Sequence, residues 1–375
     1  MKKSKKLAAL ILAAVMMLSL VACGGGGSNN GGNTSGATSG GDSEKTYKIA
    51  LLIPYLGDQS YYDTTAAGLD TLKAKYSNVE TTVIETGTDK SKYSDYFDDV
   101  CSSAQYDLII SGSSDSEEAL YAACEAYPDQ LFMNFDYTDA PPSNCYAVNY
   151  NTADMGYVAG VLATLVTTSD MEKANPDKKV GVIIGMDIPA MNDFIGGFCQ
   201  VCTNAGVQVY IGYPESFTDT AKAKELSLEM YNQGVDVIWQ VAGSAGTGVF
   251  EAAAQVDKYS FGVDSDQTIT IADKALTSTI ITSFYKDCGS AIVGAVEMLM
   301  QGNFPAGTAA TLGLAENAVG LIDNEQYQTM VPEEIRNEVT AELEKVKTGE
   351  VQVYSVKADP DSWQAIKDAA TAPVA

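Results

Sequence analysis

The 375-residue sequence contains no histidine, and this absence excludes several catalytic classes. Ser-His-Asp and Cys-His nucleophilic catalysis, histidine-bound zinc sites and the HExxH motif of metalloproteases all require that side chain. The glycine-rich phosphate loop of ATPases is also absent, so ATP chemistry would belong to another subunit. The sequence therefore predicts a protein that is not an enzyme and that carries no cofactor and no metal.

Positive charge is the second scarce feature. The chain has 23 lysines and arginines against 49 aspartates and glutamates, for a formal net charge of −26. Nucleic acid and anionic lipid surfaces attract cationic proteins, so we expect neither as a partner. Beyond the N-terminus there is no run of about 18 apolar residues, so the folded part is expected to lie outside the membrane.

The N-terminus concentrates lysines and apolar residues. Lysines at positions 2, 3, 5 and 6 precede the apolar segment Leu7–Leu20, which is too short to span a bilayer comfortably and is typical of a secretion signal. The segment ends in Leu20-Val21-Ala22-Cys23, which resembles a bacterial lipobox. The resemblance implies a signal peptide over residues 1–22 and a diacylglycerol on Cys23, whose two acyl chains suffice for stable anchoring.

Residues 23–45 are almost entirely Gly, Ser, Asn, Thr and Ala, a composition that predicts a flexible tether. The signal and the tether together predict an extracytoplasmic lipoprotein that touches the cell membrane through its lipid alone. We expect it to be a monomer.

Six further cysteines follow the lipobox. Cys199 and Cys202 have the CxxC spacing of metal and redox sites, but no second CxxC pair accompanies them and their segment is apolar and helical. This favours buried cysteines on a helix. Spacing alone leaves the disulfide state of all six open: Cys101, Cys124, Cys145, Cys199, Cys202 and Cys288.

Short apolar, β-rich runs alternate with amphipathic stretches along the first part of the chain, the pattern of parallel strands joined by helices. The predicted strands are Lys48–Pro54, Glu80–Glu85, Asp107–Ser111, Leu131–Phe135 and Cys145–Tyr150. The predicted helices between them are Thr64–Tyr76, Ser94–Ser103 and Glu117–Tyr127.

The same alternation then repeats. Predicted strands are Lys179–Gly185, Val207–Tyr213, Val235–Val241 and Tyr259–Val263, with helices Phe194–Ala205, Ala221–Gln233 and Gly248–Val256. Strands Ile280–Phe284 and Asn317–Ile322 and helices Ser290–Gln301 and Val331–Val346 follow.

Two successive arrays of this kind predict two doubly wound parallel-sheet lobes joined by a hinge, with ligand bound between the carboxyl ends of the strands. We expect lobe I at residues 46–150, lobe II at 151–266, a return to lobe I at 267–316 and a return to lobe II at 317–358. Residues 359–375 lack periodicity and are expected to form a loosely packed tail.

Several short motifs fall at the predicted strand ends. They are Gly57-Asp58-Gln59-Ser60-Tyr61-Tyr62 followed by Gly68, Gly185-Met186-Asp187-Ile188-Pro189 followed by Phe194, Ser216-Phe217-Thr218-Asp219, Gly262-Val263-Asp264-Ser265-Asp266-Gln267 and Thr282-Ser283-Phe284-Tyr285-Lys286. In this order they resemble the basic membrane protein family of solute-binding lipoproteins from about Tyr47 to Val353. Characterised members bind purine nucleosides on a type I periplasmic-binding fold.

The resemblance implies a ligand site made by both lobes. Tyr61 stands at the family's base-stacking position, and Asp58 of the same motif is a further expected ligand-binding residue. Phe194 would close on the other face of the base. Phe217 matches another aromatic residue of the pocket. A flat ring offers a base a contact of about 1–3 kcal/mol, although spacing alone would also fit these aromatic residues to a core.

The family's sugar-binding residues are also matched. Asp264 and Lys286 would hold the ribose hydroxyls, and Asp136 falls where the family has a further acid for the ribose or base. A carboxylate accepts from neighbouring hydroxyls through charge-assisted bonds, while lysine donates to the same oxygens. Gly243 lies in a glycine-rich turn whose backbone N–H groups can donate to the ligand, although a tight turn also accounts for it.

Some positions depart from the family at the end that would read the base. Pro54-Tyr55-Leu56 replaces an acidic or polar residue, Gly112-Ser113-Ser114 lacks an aromatic, and Tyr62 replaces an asparagine. The resemblance implies a nucleoside ligand, a purine nucleoside in particular, delivered to ABC permease subunits. The alternatives are a pentose or hexose receptor of the same fold and a sensor lipoprotein.

Overall fold

Two six-stranded sheets organise the chain in the computed structural model, which describes residues 45–374. The first sheet belongs to lobe I and the second to lobe II. Along the first half run β1 (Tyr47–Ile53), α1 (Tyr61–Lys75), β2 (Val79–Glu85), α2 (Tyr93–Ser102), β3 (Leu108–Ser111), α3 (Glu117–Ala126), β4 (Phe132–Phe135) and β5 (Cys145–Tyr150).

The second half continues with a longer set of elements: α4 (Thr152–Thr168), β6 (Lys179–Ile184), α5 (Pro189–Asn204), β7 (Gln208–Gly212), α6 (Thr220–Asn232), β8 (Val237–Val241), α7 (Thr247–Val256), β9 (Tyr259–Asp264), α8 (Gln267–Thr270), α9 (Lys274–Thr277) and β10 (Ile280–Lys286). The remaining elements are α10 (Cys288–Met300), β11 (Ala309–Leu312), β12 (Val319–Leu321), α11 (Glu325–Met330), α12 (Glu333–Lys347) and α13 (Trp363–Thr371).

The two sheets share one strand order. Lobe I runs β11-β5-β4-β3-β1-β2 and lobe II runs β12-β10-β9-β8-β6-β7, so the second five strands repeat the arrangement of the first five. All pairs are parallel except β10–β12, which is antiparallel. The prediction of two doubly wound α/β lobes is confirmed. In such sheets the strand order reverses beside the first strand of each half, and ligands bind at the carboxyl ends there.

Strand burial follows position in the sheet. The central strands β3, β4 and β8 are buried at every residue, because helices cover both faces of a parallel sheet. The edge strand β2 is different: most of its residues are exposed or half-buried. The run Glu80–Glu85, predicted as an apolar strand, is therefore not buried on both faces, because the β2 sequence Val-Glu-Thr-Thr-Val-Ile-Glu is that of a solvated edge.

The chain crosses between lobes after β5, after β10 and between β11 and β12. This corrects the predicted boundary at residue 267. Because β10 is hydrogen-bonded between β9 and β12, residues 280–286 belong to the sheet of lobe II, and the return to lobe I begins only with α10. Helix α10 packs so closely on α1 that a Cβ at Gly68 would lie 2.7 Å from Gly289 Cα.

Two of the longer helices, α4 and α13, escaped sequence-based prediction, as did the short helices α8, α9 and α11. Helix α4 has 13 buried residues among its 17, so it shows no polar face from which a helical period could be recognised. The predicted loose tail is wrong: α13 packs against α5 and β7 with Trp363 and Ala370 buried. The helix has only nine residues, so its apolar face repeats over little more than two turns of the sequence.

All six cysteines of residues 45–374 are buried free thiols. Cys199 and Cys202 lie on α5, as predicted, and are fully buried in the core. Burial raises the pKa of Cys202 to about 12, so its thiol stays protonated and unreactive at neutral pH.

Candidate ligand-binding site

Three charged side chains meet where the strands of the two lobes end. Asp136 directly follows β4 of lobe I, while Asp264 ends β9 and Lys286 ends β10 of lobe II. Both aspartates have left-handed backbone conformations, with φ of 53° and 64°. Such conformations are uncommon for residues other than glycine and cluster at functional sites.

A salt bridge joins the lobes at this point. Lys286 Nζ lies 2.7 Å from Asp136 Oδ2, and the lysine side chain is only 5% exposed. Aromatic rings surround the ammonium: its distance to the ring centre is 4.3 Å for Tyr61, 5.4 Å for Tyr150 and 5.8 Å for Phe194. The predicted stacking residues of the two lobes, Tyr61 and Phe194, therefore both face the predicted ribose-binding lysine.

The second carboxylate has a different partner. Asp264 Oδ2 accepts a hydrogen bond of 2.5 Å from the hydroxyl of Ser60, which lies in lobe I. Burial raises the pKa of Asp264 to about 6, against the lowering influence of Lys286 and Ser60. Asp58 and Asp136 add to the rise because a like charge disfavours ionisation. Asp264 is thus a buried carboxylate whose charge is incompletely balanced.

Asp136 and Lys286 stabilise each other's charged forms. Burial acts to raise the pKa of Asp136, but the positive charges of Lys286 and Lys357 outweigh it and the pKa is lowered. Burial acts to lower the pKa of Lys286, but Asp136 and other neighbours outweigh it and the pKa is raised. The pair is therefore ionised throughout the physiological pH range.

The carboxylate of Asp58 is hydrogen-bonded to the backbone of its own turn. Its two carboxylate oxygens accept the backbone N–H groups of Ser60, Tyr62 and Asp63 at 2.8–3.0 Å. These bonds fix the start of α1, whose first N–H groups otherwise lack partners. The structure thus places Asp58 beneath the turn that carries Tyr61 and Ser60, with its carboxylate engaged by the backbone.

Phe217 and Gly243 lie together on lobe II. The Phe217 ring covers Gly185, where a Cβ would lie 2.3 Å from a ring carbon, and Gly243 adopts a φ of 55°. The Phe217 carbonyl accepts the Ala245 N–H at 2.9 Å. Within residues 45–374, no hydrogen bond or ion pair links Phe217 or Gly243 to the charged cluster. Phe217 is 36% exposed, as a ring at the edge of a cleft would be.

Sequence reasoning missed three features of the site. Ser60 belongs to a recognised motif, but only the fold brings it to Asp264. Tyr150 ends a buried strand and had no distinguishing signal, yet its ring lies beside Lys286 and its hydroxyl donates to the Asp287 carbonyl at 3.1 Å. The Tyr61 hydroxyl is buried without a hydrogen-bond partner within the part of the chain described.

Three tyrosines form one wall on lobe I. The ring centres of Tyr55 and Tyr62 are 5.1 Å apart in an edge-on arrangement, and those of Tyr61 and Tyr62 are 5.4 Å apart. Edge-on and tilted contacts are favoured by aromatic quadrupoles. Tyr61 forms the end of this wall beside the charged cluster, and Tyr55 forms the other end. At the Tyr55 end the sequence departs from the motifs that it resembles.

Residues 45–374 contain no group of three or more Cys, Asp or Glu side chains placed to hold a metal ion. In the same part of the chain, no helix is both long enough and apolar enough to cross a membrane.

This chain is similar to known proteins along most of its length. The profile of the Bmp family, described as "ABC transporter substrate-binding protein PnrA-like", matches residues 47–357. The "CD4+ T-cell-stimulating antigen" of Listeria innocua is 26% identical over 84% of this chain and 90% of its own length. The "ABC transporter nucleoside-binding protein BmpA" of Lactococcus lactis is 28% identical over 72% of this chain and 79% of its own.

A solved structure extends the agreement to the fold. An ABC transporter solute-binding protein from Aeropyrum pernix superposes with a TM-score of 0.74 at 21% identity, over 86% of this chain and 99% of that one. The predicted type I periplasmic-binding fold is confirmed. The family resemblance found in the motifs is confirmed as well, since the profile covers most of the sequence. The chain belongs to the Bmp family of ABC transporter substrate-binding proteins.

Proposed function

We propose that this protein captures a nucleoside, and a purine nucleoside in particular, between its lobes and delivers it to the permease of an ABC importer. The observation that carries the proposal is the meeting of Asp136, Asp264 and Lys286 with two aromatic rings from opposite lobes. A polar end beside flat apolar faces suits a ligand that joins a sugar to a planar base. The name of the Lactococcus relative supports the same ligand class.

The charged cluster would bind the sugar. A carboxylate accepts from two neighbouring hydroxyls, and Lys286 donates to the oxygens of the same hydroxyls. One carboxylate oxygen of Asp264 accepts a hydrogen bond from the Ser60 hydroxyl. The other oxygen would accept a hydrogen bond from a ligand hydroxyl. Asp136 holds the ammonium at 2.7 Å and thereby keeps Lys286 charged inside the closed site.

The rings would bind the base. Tyr61 and Phe194 approach the same ammonium from different lobes, at 4.3 and 5.8 Å. A base inserted between them would bury both of its faces, and it would do so only when the lobes close. Contacts made only in the closed state shift the equilibrium toward closure, and the permease would recognise the closed shape.

A free-sugar receptor is the second candidate, and one observation favours it. The wall beyond Tyr61 offers only tyrosine rings and hydroxyls, from Tyr55 and Tyr62, where a base-reading acid or amide would be expected. The charged cluster alone would be sufficient for a pentose.

Titration calorimetry against nucleosides, free bases and pentoses tests the proposal. We expect a purine nucleoside to bind tightly. Its 2′,3′-dideoxy analogue should bind at least about tenfold more weakly, because it lacks the hydroxyls that would donate hydrogen bonds to Asp264. Tight binding of ribose without binding of any nucleoside would replace the nucleoside assignment by the sugar receptor.

We also propose that Cys23, which lies outside the described residues, carries the lipid anchor. The lipobox and the polar tether support it. Cys23→Ala should move the protein from the detergent phase to the aqueous phase on detergent partitioning. Unchanged partitioning of that variant would show that another segment holds the protein to the membrane.

A further inference from the structure

Two turns from opposite lobes are hydrogen-bonded to each other beside the charged cluster. One is Gln59–Ser60 before α1 of lobe I, and the other is Asp264–Gln267, which leads from the end of β9 into α8 of lobe II. Ser60 Oγ donates to Asp264 Oδ2 at 2.5 Å. The Gln59 carbonyl accepts from Ser265 Oγ at 3.0 Å and from Gln267 Nε2 at 3.2 Å. All three bonds cross between the lobes and involve protein atoms alone.

The turn of lobe I is fixed by its own backbone contacts. The Asp63 carboxylate accepts the N–H groups of Gly57 and Gln59 at 2.7 and 2.9 Å, and Asp58 accepts three more. Gln59 has a φ of 55°, a conformation that residues other than glycine seldom adopt. The turn is thus held in one shape by contacts within lobe I, which positions the Gln59 carbonyl to accept bonds from lobe II.

The turn of lobe II is fixed in the same way. Gln267 Oε1 accepts Gln240 Nε2 at 2.6 Å and the Val263 N–H at 3.0 Å, and the Gln267 backbone N–H donates to Ser283 Oγ at 3.1 Å. The side chain is 2% exposed. Its carbonyl end is therefore held inside lobe II, and its Nε2 is left to donate to Gln59. Gln267 belongs to the GVDSDQ motif, but the proposed ligand contacts do not use it.

We propose that these two turns form a clasp that holds a fraction of the protein closed before ligand arrives, with Gln267 as a positioning residue. The clasp rests on the proposed function only in taking the closed form as the one that retains solute. Groups already held in their bonding geometry lose little freedom when they meet, so their bonds favour closure efficiently. Asp264 takes part in the clasp through one oxygen, which links closure to the sugar-binding end of the site.

The clasp predicts a closed population in ligand-free protein, which spin-label distance measurements detect. Exposed positions on different lobes, Ser102→Cys on α2 and Glu229→Cys on α6, would carry the labels. We expect a short-distance component in the ligand-free protein. Ser60→Ala together with Ser265→Ala removes two of the three bonds and should lower the closed-to-open ratio by roughly tenfold, with an intermediate loss for each single variant.

A matched variant separates the clasp from a general effect of losing a serine. Ser260→Ala also removes a buried hydroxyl, but that hydroxyl bonds to Thr279 at 3.0 Å within lobe II, so the short component should remain. The proposal is overturned if ligand-free protein lacks the short component, or if the double variant keeps it unchanged. Because the measurement needs no ligand, its outcome is independent of whether the natural solute is a nucleoside.

The same double variant should also weaken every solute that closes the cleft by one common factor. Titration of a nucleoside and of a smaller weak ligand such as ribose would show equal fold-losses. A loss confined to one ligand would mean that Ser60 or Ser265 contacts that ligand directly, and the clasp would be the wrong explanation.

Discussion

Asp136 and Asp264 occupy equivalent places in the two lobes. Each ends or directly follows the fourth strand of its array, each has a positive φ, and each lies near Lys286. Their pKa values nevertheless move in opposite directions, downward for Asp136 and upward to about 6 for Asp264. The fold repeats, but the electrostatic role of the repeated residue does not.

The difference comes from the residue that ends the fifth strand of each lobe. Lobe II has Lys286 there, whereas lobe I has Tyr150 at the equivalent position. The lysine reaches across the cleft and bonds to Asp136 in the opposite lobe at 2.7 Å, so Asp264 of its own lobe is left with a serine. One carboxylate therefore orients the lysine, and the other remains available to accept hydroxyls from a ligand.

We expect Lys286→Met to have the largest effect on the difference between Asp136 and Asp264. Without the ammonium, Asp136 becomes a buried carboxylate with no counter-charge, and its pKa should rise as that of Asp264 does. We expect the free energy of unfolding at pH 7.5 to fall by about 3 kcal/mol and nucleoside binding to be lost. Denaturant unfolding and calorimetry would measure the two effects. Adding Asp136→Asn should restore much of the stability but not the binding; a single variant as stable as the wild type would contradict the pairing.

Neutralising each aspartate in turn should give stability changes of opposite sign. Asp136→Asn leaves Lys286 unpaired and should lower the free energy of unfolding by about 3 kcal/mol. Asp264→Asn removes a carboxylate whose pKa is raised to about 6, so its ionised form, which predominates at pH 8, destabilises the folded protein, and the free energy of unfolding at pH 8 should rise. Both should weaken a nucleoside by about 10- to 100-fold. Equal destabilisation by the two changes would mean that the carboxylates are not distinct.

Phe194→Ala separates the rings from the carboxylates. Loss of one stacking face should weaken a nucleoside by about 1–3 kcal/mol, while a free pentose should be little affected. Calorimetry with both ligands gives the comparison. A thermal melt of the Phe194→Ala variant would check that it remains folded. Equal weakening of sugar and nucleoside would show that Phe194 contributes to packing and not to stacking.

The pH dependence of ligand affinity should follow the ionisation of Asp264 alone. A ligand hydroxyl needs the ionised carboxylate as acceptor, and the pKa of Asp264 in the closed protein is about 6. Affinity should therefore be level above about pH 7 and fall by up to tenfold per unit below pH 6, where a proton must first leave. Asp136, whose pKa is lowered, should add nothing in this range. Asp264→Asn should bind weakly with no such slope; a slope that persists in it would point to another group.

The sequence alone was sufficient for the repeated strand and helix pattern, because apolar periodicity is local and each βα unit carries its own. The motif resemblance pointed to Tyr61, Asp136, Phe194, Asp264 and Lys286, and the fold gathers them because each lies at or beyond the carboxyl end of a strand that faces the cleft. What it lacked was a signal for α4, whose surface is apolar nearly all round, and for the crossover after β10.

Only the tertiary structure decided which carboxylate belongs to the lysine. Asp264 lies 22 residues from Lys286 along the chain and in the same sheet, and Asp136 lies 150 residues away, yet the ion pair forms with Asp136. Sequence spacing favours the nearer partner, because it registers only the chain between two residues. Charge pairing depends on the distance between atoms after the lobes meet and on how far each group is removed from water. Both quantities are set by packing between two lobes, and no local pattern in the sequence encodes them.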